Sequence, residues 1–532
     1  MLAVDRARAW AKLSEAPFDV CVIGGGIVGV AVARDAALRG LSAALLERVD
    51  FASGTSSRTS RMLHGGVRYL RQGRIGLVRQ ALRERNLLRE RAAGLVRPTE
   101  FAVPVYQGGA LGPGLTRLGL RVYRQFARDA GVSWLKPARA DEAAPGLRRD
   151  GLRGIGGYRD VLVNDARLVL EVARSAESAG AVLVNHAPVE GFLHEGGRVA
   201  AALVTDAVSG KRTTVRAATF VNASGPWVDS VRRLDDPQAT PMLRPTKGIH
   251  VFVPHSRLAH SRAVVLETRD GRVVFVLPWG RLSLVGTTDT DYDGSLDEII
   301  ATRDDVAYLL EEVNAFFPQA RLTSDDVVSA WAGVRPLVWH GESRGSASDI
   351  SRTHEIVSSP SGLLTVAGGK LTTHRAMAEE VVDRVVDVVG RGGPCRTAKE
   401  PLRSPDVPHE EYAARLESLG LPPDVVLHLA GTYHSDEILP LLDDDARRER
   451  LVPDLPHVHA EVIHSARAEW ASTIEDVLSR RMAVLLESGS HGSDCLERVA
   501  DTMAAALQWP AAERAAQVEA YRRAIARTVA FR

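Results

Sequence analysis

The sequence predicts an α/β fold, α+β overall, in which a parallel-sheet domain is interleaved with an antiparallel-sheet domain and followed by an all-α C-terminal domain. Three observations lead to this prediction. A glycine-rich turn at residues 24–29 joins an apolar strand to an amphipathic helix. Short alternating segments occupy residues 188–222 and 249–289, as antiparallel strands do. Beyond a proline-containing stretch at 401–408 the pattern is helical to the end.

Length and composition restrict the class of protein. A chain of 532 residues exceeds the roughly 250–300 residues of a single core, so two or three domains are expected. The net charge of +1 argues against a general polyanion-binding role, and no nucleic-acid partner is expected. Three scattered cysteines favour a reducing compartment. With no signal-like N-terminus and no run of about 18 apolar residues, we expect a cytoplasmic protein with at most peripheral membrane contact.

A dinucleotide-binding fingerprint lies in residues 18–47. Gly24, Gly26 and Gly29 fit G-x-G-x-x-G between the strand and the helix, and Glu47 ends the next strand. The glycines permit a tight turn, a close approach of backbone N–H groups to a pyrophosphate, and close helix–strand packing, while the glutamate would accept hydrogen bonds from a ribose. A lone motif of this kind is usually a plain turn, but here the whole context is present. It predicts a Rossmann-type domain, and the β-rich interruptions favour FAD over NAD.

Eight further motifs follow downstream of this fingerprint. In order, they are DFASGTSSRTSRMLHGGVRYL, VNDARLVLE, VNASGPWVD, RPTKGIHVFVP, GTTDTDYDG, AGVRPLV, SRTHEI and AGGKLTTHRAMAE. Together they closely resemble the FAD-dependent, quinone-linked glycerol-3-phosphate dehydrogenases. The resemblance covers about residues 17–400 and continues more weakly through the C-terminal domain.

The resemblance implies an enzyme that oxidises sn-glycerol 3-phosphate to dihydroxyacetone phosphate by hydride transfer to FAD and passes the electrons to a membrane quinone. It implies peripheral attachment to the inner face of the cell membrane, and it is compatible with a homodimer. We expect a discontinuous FAD-binding domain made of residues 17–95, 150–235 and 330–395. A substrate-binding cap domain is expected at 96–149 and 236–329, and a C-terminal helical domain at 400–532.

Two other classes of function stay open at this point. One is a flavoenzyme of different chemistry, either an oxidase that forms hydrogen peroxide or a dehydrogenase of another small hydroxy acid or amine. The other is a flavin-binding regulatory protein with an inactive pocket. Retention of several polar pocket residues argues against the inactive pocket.

The resemblance also assigns residues to the substrate. Arg68 and Tyr69 of HGG-x-RYL, together with Arg352 of SR-x-H and His64, belong to the phosphate and substrate pocket. Arginine suits this task because its planar guanidinium meets phosphate oxygens with two parallel hydrogen bonds.

Around the reacting hydroxyl group, the family implies His250, Arg335 and Lys370. A histidine titrating near neutrality is a natural proton acceptor, and the two cations would stabilise a developing alkoxide. The base is therefore His250 alone or a cation-assisted relay, and we favour His250. Without their motifs, His250 would be read equally well as a core histidine, and Arg352 and Lys370 as surface charges.

Further residues are expected to contact FAD. The N-terminus of a helix at 371–388 can aim N–H groups at flavin N1 and the C2 carbonyl. The family usually has tyrosine where this chain has His374, which puts local polarity near this helix in doubt. No metal site is expected. The expected cofactor contacts beyond the fingerprint are Ser56, Ser57, Gly225, Gly369, Leu371 and Thr372.

Residues 109–128 are the candidate membrane contact. At helical spacing Arg117, Arg121, Arg124 and Arg128 share one face, and Leu115, Leu118 and Val122 fall on another. Such a helix can lie in the membrane interface with its arginines at anionic headgroups. Packing against the protein's own core, with a solvated basic face, is the alternative. The Arg6–Lys12 segment is the next candidate.

Overall fold

The part of the chain that the computed structural model describes contains two mixed β-sheets and a helical C-terminal domain. Among these residues no helix combines the length and apolar character needed to cross a membrane. The described residues are 6–67, 73–92, 94–109, 112–128, 131, 133–339, 353–402 and 407–532.

The first sheet carries the fingerprint. Its central strand, Phe18–Ile23, is buried throughout and pairs in parallel with a strand on either side, which explains why all of its residues except Asp19 are apolar. The three strands between residues 189 and 222 form the antiparallel meander expected from the sequence. In spatial order the strands are His354–Ser358, Leu364–Gly368, Arg212–Asn222, Phe18–Ile23, Ala43–Leu46 and Val182–Val184, with Arg198–Thr205 and Val189–Glu195 added beside Arg212–Asn222.

The second sheet is mainly antiparallel and forms the wall of the candidate site. Three of its strands lie in ranges that the predicted boundaries assign to the FAD-binding domain: Met62–Leu63, Leu152–Val163 and, apart from its first residue, Ser329–Val338. In spatial order the strands are Thr290–Asp291, Leu243–Pro254, Leu282–Gly286, Val273–Trp279, Ala263–Glu267, Val96–Tyr106, Leu152–Val163 and Met62–Leu63; Ser329–Val338 pairs with Leu243–Pro254, and Ser133–Leu135 with Leu152–Val163.

Helices cover the first sheet and make up the described residues beyond 407 almost entirely. The expected flavin-facing helix begins at His374 and is preceded by a single 3-10 turn, Leu371–Thr373. The α-helices are Arg6–Glu15, Ile27–Leu38, Ile75–Arg91, Pro113–Ala127, Asp165–Ser178, Val228–Asp235, His255–Leu258, Arg303–Phe316, His374–Val389, His409–Ser418, Pro423–Thr432, Ser435–Ile438, Asp445–Arg448, His459–Ala468, Val484–Glu487, Leu496–Leu507 and Ala511–Thr528, with a π-helical segment at Asp476–Arg481.

A buried ion cluster joins the C-terminal domain to the first sheet. Asp50 follows the fingerprint acid by three residues and is fully buried. Its Oδ2 accepts a hydrogen bond from Nε of Arg480 at 2.5 Å, and both its oxygens pair with the Arg481 guanidinium. Asn185 donates to its Oδ1 at 2.9 Å. The loop after the second fingerprint strand therefore depends on side chains near the end of the chain.

Replacing Asp50 with alanine should loosen this junction. Two buried guanidinium groups would lose a carboxylate partner, and breaking a buried ion pair costs about 3–5 kcal/mol. We expect the urea midpoint of the first unfolding transition to fall clearly in Asp50→Ala. Glu411→Ala is the control, because Glu411 pairs with Arg415 at the surface, where both side chains are about half exposed, and should cost less than about 1 kcal/mol. Equal midpoints in the two variants would contradict a structural role for the cluster.

Candidate active site

The fingerprint turn leaves no room for side chains at two of its glycines. Gly24 has φ +111°, and a Cβ there would lie 2.7 Å from the Ala223 carbonyl oxygen. A Cβ at Gly29 would lie 1.8 Å from the carbonyl oxygen of Gly24. Gly26 is the N-cap of the helix Ile27–Leu38. Strand, turn and helix are thus packed as a dinucleotide pyrophosphate requires, with helix N–H groups at the turn.

Glu47 closes the same turn from the neighbouring strand. Its carboxylate accepts hydrogen bonds from the backbone N–H groups of Gly25 at 2.6 Å and Val49 at 2.8 Å. Burial raises the pKa of Glu47, and these two N–H donors work against that rise. Ser56 also supports the turn, because its Oγ accepts from the N–H of Ile27 at 3.0 Å.

Two adjoining cavities form one long cleft. The smaller, about 310 Å³, runs along the fingerprint and is lined by Gly24, Gly26, Glu47, Ser56 and Gly225. The larger, about 1180 Å³, lies against the second sheet. Ser57 lies away from the cleft and lines a separate small cavity. The residues that line both parts of the cleft are Thr55, Thr59, Pro336, Gly369, Lys370 and Leu371.

The cleft fits an extended dinucleotide. The glycine turn at residues 24–29 suits a pyrophosphate at one end. At the other end, Leu371 and Thr372, which precede the helix His374–Val389, line the larger cavity. Gly369 has φ +88°, and a Cβ there would collide with Met377, so the chain passes close to this helix. His374 is buried, with Nδ1 bonded to the Leu371 carbonyl at 2.8 Å, and it lines neither part of the cleft. The tyrosine-to-histidine difference therefore lies behind the cleft wall.

His250 lines the larger cavity from the strand Leu243–Pro254. Its Nε2 lies 2.8 Å from the Ser60 hydroxyl, and its ring stacks on Trp331. A Cβ at Gly286, on the adjacent strand, would lie 2.2 Å from its Cδ2, so the imidazole occupies space that the glycine leaves. Burial, with the charges of Arg335 and Arg61, lowers the pKa of His250 to about 3. The imidazole is therefore neutral at physiological pH, although the expectation of a pKa near neutrality is not met.

Arg335 lies on the facing strand and lines the same cavity. Its guanidinium binds Asp289 Oδ1 at 3.0 Å and Thr287 Oγ1 at 2.9 Å, and it covers Gly248, where a Cβ would lie 2.4 Å from Nη2. Lys370 lines the larger cavity where it meets the smaller one. The three expected catalytic residues thus line one cavity.

Of the four residues expected in the phosphate and substrate pocket, His64 is the one that lies among the described residues. It lines the larger cavity, and its backbone N–H donates to Thr372 Oγ1 at 3.2 Å. Arg68, Tyr69 and Arg352 lie outside the described residues, so their assignment to the phosphate stays a prediction from the sequence.

Several functional neighbours were not singled out from the sequence. Ser60 holds His250, and Asp289 holds Arg335. Asp165 anchors the cleft residue Thr59, whose N–H and hydroxyl both donate to its carboxylate, at 3.0 Å and 2.7 Å. The available signal was the run of serine and threonine residues in the first quoted motif and of threonine and aspartate residues in the fifth. The partner of each residue could not be predicted, because these contacts join residues that are distant in sequence.

Two family descriptions match the chain. "FAD dependent oxidoreductase" matches residues 19–384, and "C-terminal domain of alpha-glycerophosphate oxidase" matches residues 395–514. Glycerol-3-phosphate dehydrogenase 2 of Mycobacterium tuberculosis (strain ATCC 25618 / H37Rv) is 39% identical over 530 residues, covering 96% of this chain and 88% of that protein. The chain belongs to the FAD-dependent glycerol-3-phosphate dehydrogenase family. Aerobic glycerol-3-phosphate dehydrogenase of Bacillus subtilis (strain 168) is 36% identical, with 95% and 94% coverage.

Solved structures agree with this membership. Glycerol-3-phosphate dehydrogenase from Bacillus halodurans, complexed with FAD, superposes with a TM-score of 0.84 at 31% identity and covers 99% of this chain and 98% of that one. L-alpha-glycerophosphate oxidase from Mycoplasma pneumoniae, at 18% identity, covers 70% of this chain and 95% of that one, with a TM-score of 0.55, and shares the fold. The predicted fold class, family and FAD cofactor are confirmed.

Removal of the Glu47 carboxylate should weaken FAD binding more than it affects substrate. In Glu47→Ala two backbone N–H groups at the turn lose their acceptors, which costs about 1–3 kcal/mol. We expect FAD to dissociate roughly tenfold to hundredfold more readily, as measured by flavin retention after ultrafiltration at a series of protein concentrations. Glu190→Ala, an exposed acid beside the cleft, is the control. Unchanged flavin retention in Glu47→Ala would rule out this role for the carboxylate.

Proposed function

We propose that this enzyme oxidises sn-glycerol 3-phosphate to dihydroxyacetone phosphate and passes the electrons to a membrane quinone. The observation that carries the proposal is the meeting of neutral His250, Arg335 and Lys370 in one cavity that opens into the FAD cleft. An alcohol oxidised there would lose its hydroxyl proton to the chain. FAD, when bound, supplies the acceptor for the hydride.

The proton would leave through Ser60 and His250. Ser60 lines the cavity, and its Oγ lies 2.8 Å from Nε2 of the imidazole. A Ser60 hydroxyl that donates to Nε2 can take the substrate's proton as its own passes to the ring. His250 is then the base, and Ser60 carries the proton to it. This refines the choice between a histidine acting alone and a relay.

A bound phosphate would make this base stronger. A pKa of about 3 marks a weak proton acceptor, and its causes are burial and, after that, nearby positive charge. A phosphate dianion held in the cavity would offset the field of Arg335 and raise the His250 pKa toward the range in which general bases work. Arg335 and Lys370 would meanwhile stabilise negative charge on the reacting oxygen. An unphosphorylated alcohol cannot supply this effect, which favours a phosphorylated substrate.

His250→Gln should keep FAD and lose turnover. General-base catalysis by a positioned side chain contributes about 10²–10⁴-fold, so kcat for glycerol 3-phosphate with an artificial dye acceptor should fall at least about 100-fold. In Ser60→Ala the kcat should fall by a smaller factor. His194→Gln, a partly exposed histidine bonded to Asp235, is the control and should match the parent enzyme. Full activity in His250→Gln would exclude it as the base, and full activity in Ser60→Ala would remove the serine from the proton path.

The helix Pro113–Ala127 is the proposed membrane contact. It packs one face inward through Thr116, Leu120, Tyr123 and Ala127. A second face leaves three apolar side chains exposed, Leu115 at 62%, Leu118 at 57% and Val122 at 37%. Arg117, Arg121, Arg124 and Arg128 form a third, also exposed face. The helix thus packs on the core and still presents apolar and basic surfaces, which support the proposed membrane contact.

The exposed apolar face lies at the mouth of the larger cavity. Leu115, Leu118 and Val122 line that cavity together with Ile75, which is 49% exposed. An apolar rim beside a basic face is suited to insertion among acyl chains below anionic headgroups. A lipid-dissolved quinone would then enter the cavity without crossing water, which supports peripheral placement on a membrane.

Leu118→Glu combined with Arg121→Glu tests the membrane contact. The double variant replaces one apolar and one basic side chain with acids, which anionic lipid repels. It should therefore bind anionic liposomes and reduce quinone poorly, while dye-coupled dehydrogenation stays intact. Each basic residue near such a surface contributes about 1 kcal/mol. The matched control is Leu427→Glu with Arg415→Glu, an exposed leucine and arginine in the C-terminal domain. Unchanged liposome binding in the test variant would exclude this helix and direct attention to Arg6–Lys12.

A second candidate function is an oxidase that forms hydrogen peroxide. It is favoured by the match of residues 395–514 to the C-terminal domain of alpha-glycerophosphate oxidase. Oxygen uptake and peroxide formation, measured beside quinone and dye reduction, would separate the two candidates. Glycerol, lactate and 2-hydroxyglutarate, tested beside glycerol 3-phosphate, would define the substrate.

A further inference from the structure

Two histidines and a glutamate converge in the C-terminal domain, away from the FAD cleft. His428 lies on the helix Pro423–Thr432, His457 precedes the helix His459–Ala468, and Glu461 lies in the first turn of that helix. One ligand atom from each lies within 4.8 Å of the others. Oε2 of Glu461 is 2.8 Å from His428 Nε2 and 3.2 Å from His457 Nδ1.

The glutamate has no guanidinium or ammonium group among its described ion-pair partners. Glu461 is fully buried, and its ion-pair contacts in the described part of the chain are the two imidazoles. Tyr433 donates its hydroxyl to Oε2 at 2.9 Å, and Oε1 accepts from the N–H of Val458 at 2.7 Å.

The imidazole of His428 is also held by its other ring nitrogen, since Nδ1 contacts the Thr432 hydroxyl at 3.4 Å. Metal-binding histidines are held in this way, by an outer hydrogen bond that fixes which nitrogen faces the ion. Each ring thus presents one nitrogen to the shared carboxylate.

A second group of three, with one histidine and two carboxylates, serves as an internal comparison. Asp50, His186 and Asp476 also bring ligand atoms within 4.8 Å of one another. There, however, Arg480 bonds both carboxylates and Arg481 pairs with Asp50, so arginine already supplies the positive charge. This difference singles out the His428 group.

We propose that His428, His457 and Glu461 bind one divalent cation of the zinc class. Zinc–nitrogen distances near 2.0–2.1 Å in a tetrahedron place donor atoms about 3.3 Å apart, close to the nitrogen–oxygen separations found here. The ion lies between the two ring nitrogens and the carboxylate oxygen. His428 has a side-chain exposure of 17%, so the site can be reached from solvent. The bound ion joins the helices that carry His428 and Glu461.

Metal analysis of the FAD-bound, full-length protein without an affinity tag tests the site. The protein is treated with a chelator, equilibrated with Zn²⁺, dialysed and assayed for zinc by elemental analysis. We expect about one zinc per chain, and at least about tenfold weaker binding in His428→Gln and Glu461→Gln. His409→Gln is the control, because His409 is an exposed histidine of the same domain, and it should bind zinc as the parent does.

Thermal unfolding provides a readout that does not depend on the variants' folding. Zinc at about 100 times its Kd should raise the Tm of the parent protein and of His409→Gln by about 5 °C and leave that of His428→Gln unchanged. No retained zinc and no Tm shift in the parent protein would overturn the proposal. Equal zinc content in parent and His428→Gln would overturn it as well. Dye-coupled activity, measured in parallel, should be the same in all of these proteins if they retain FAD.

Discussion

The register of one antiparallel strand pair determines the catalytic wall of this protein. His250 stands opposite Trp331, and Arg335 lies over Gly248 two positions along the same face. Side chains alternate between the faces of a strand, so a shift of one residue would turn both groups away from the cavity. Glycines at 248 and 286 leave the space that the two side chains fill. The remaining parts of the site are arranged around this wall.

The FAD cleft and the substrate cavity are joined by loops from both sheets. Thr59 lines both and is held by the buried carboxylate of Asp165. Lys370 lines both from the turn that precedes the helix His374–Val389. The FAD cleft and the proposed substrate cavity therefore share walls, and we expect a change in either loop to affect both.

Local sequence predicted the parts of the protein whose geometry is local. The glycine turn, the strand before it and Glu47 were recognisable because spacing alone imposes the close contacts at Gly24 and Gly29. His250 and Arg335 needed the family motifs, because nothing nearby in sequence reveals that they face one cavity. The low pKa of His250 was not predictable, since it depends on burial and on Arg61, which lies 189 positions earlier and reaches the same region by packing over Trp279 and Trp331. The sheet membership of Leu152–Val163 depends likewise on pairing with distant strands.

The cluster around Asp50 also orders the events of biosynthesis. Asp50 and its partner Arg480 are separated by 430 positions, and the ribosome adds about 5–20 residues per second. For about 20 to 90 s Asp50 thus lacks its arginine partners. The loop that follows Glu47 can make its last ion pairs only after the C-terminal domain has emerged. A chain cut short before Arg480 would therefore leave this loop without those ion pairs, although every cofactor contact named above lies upstream.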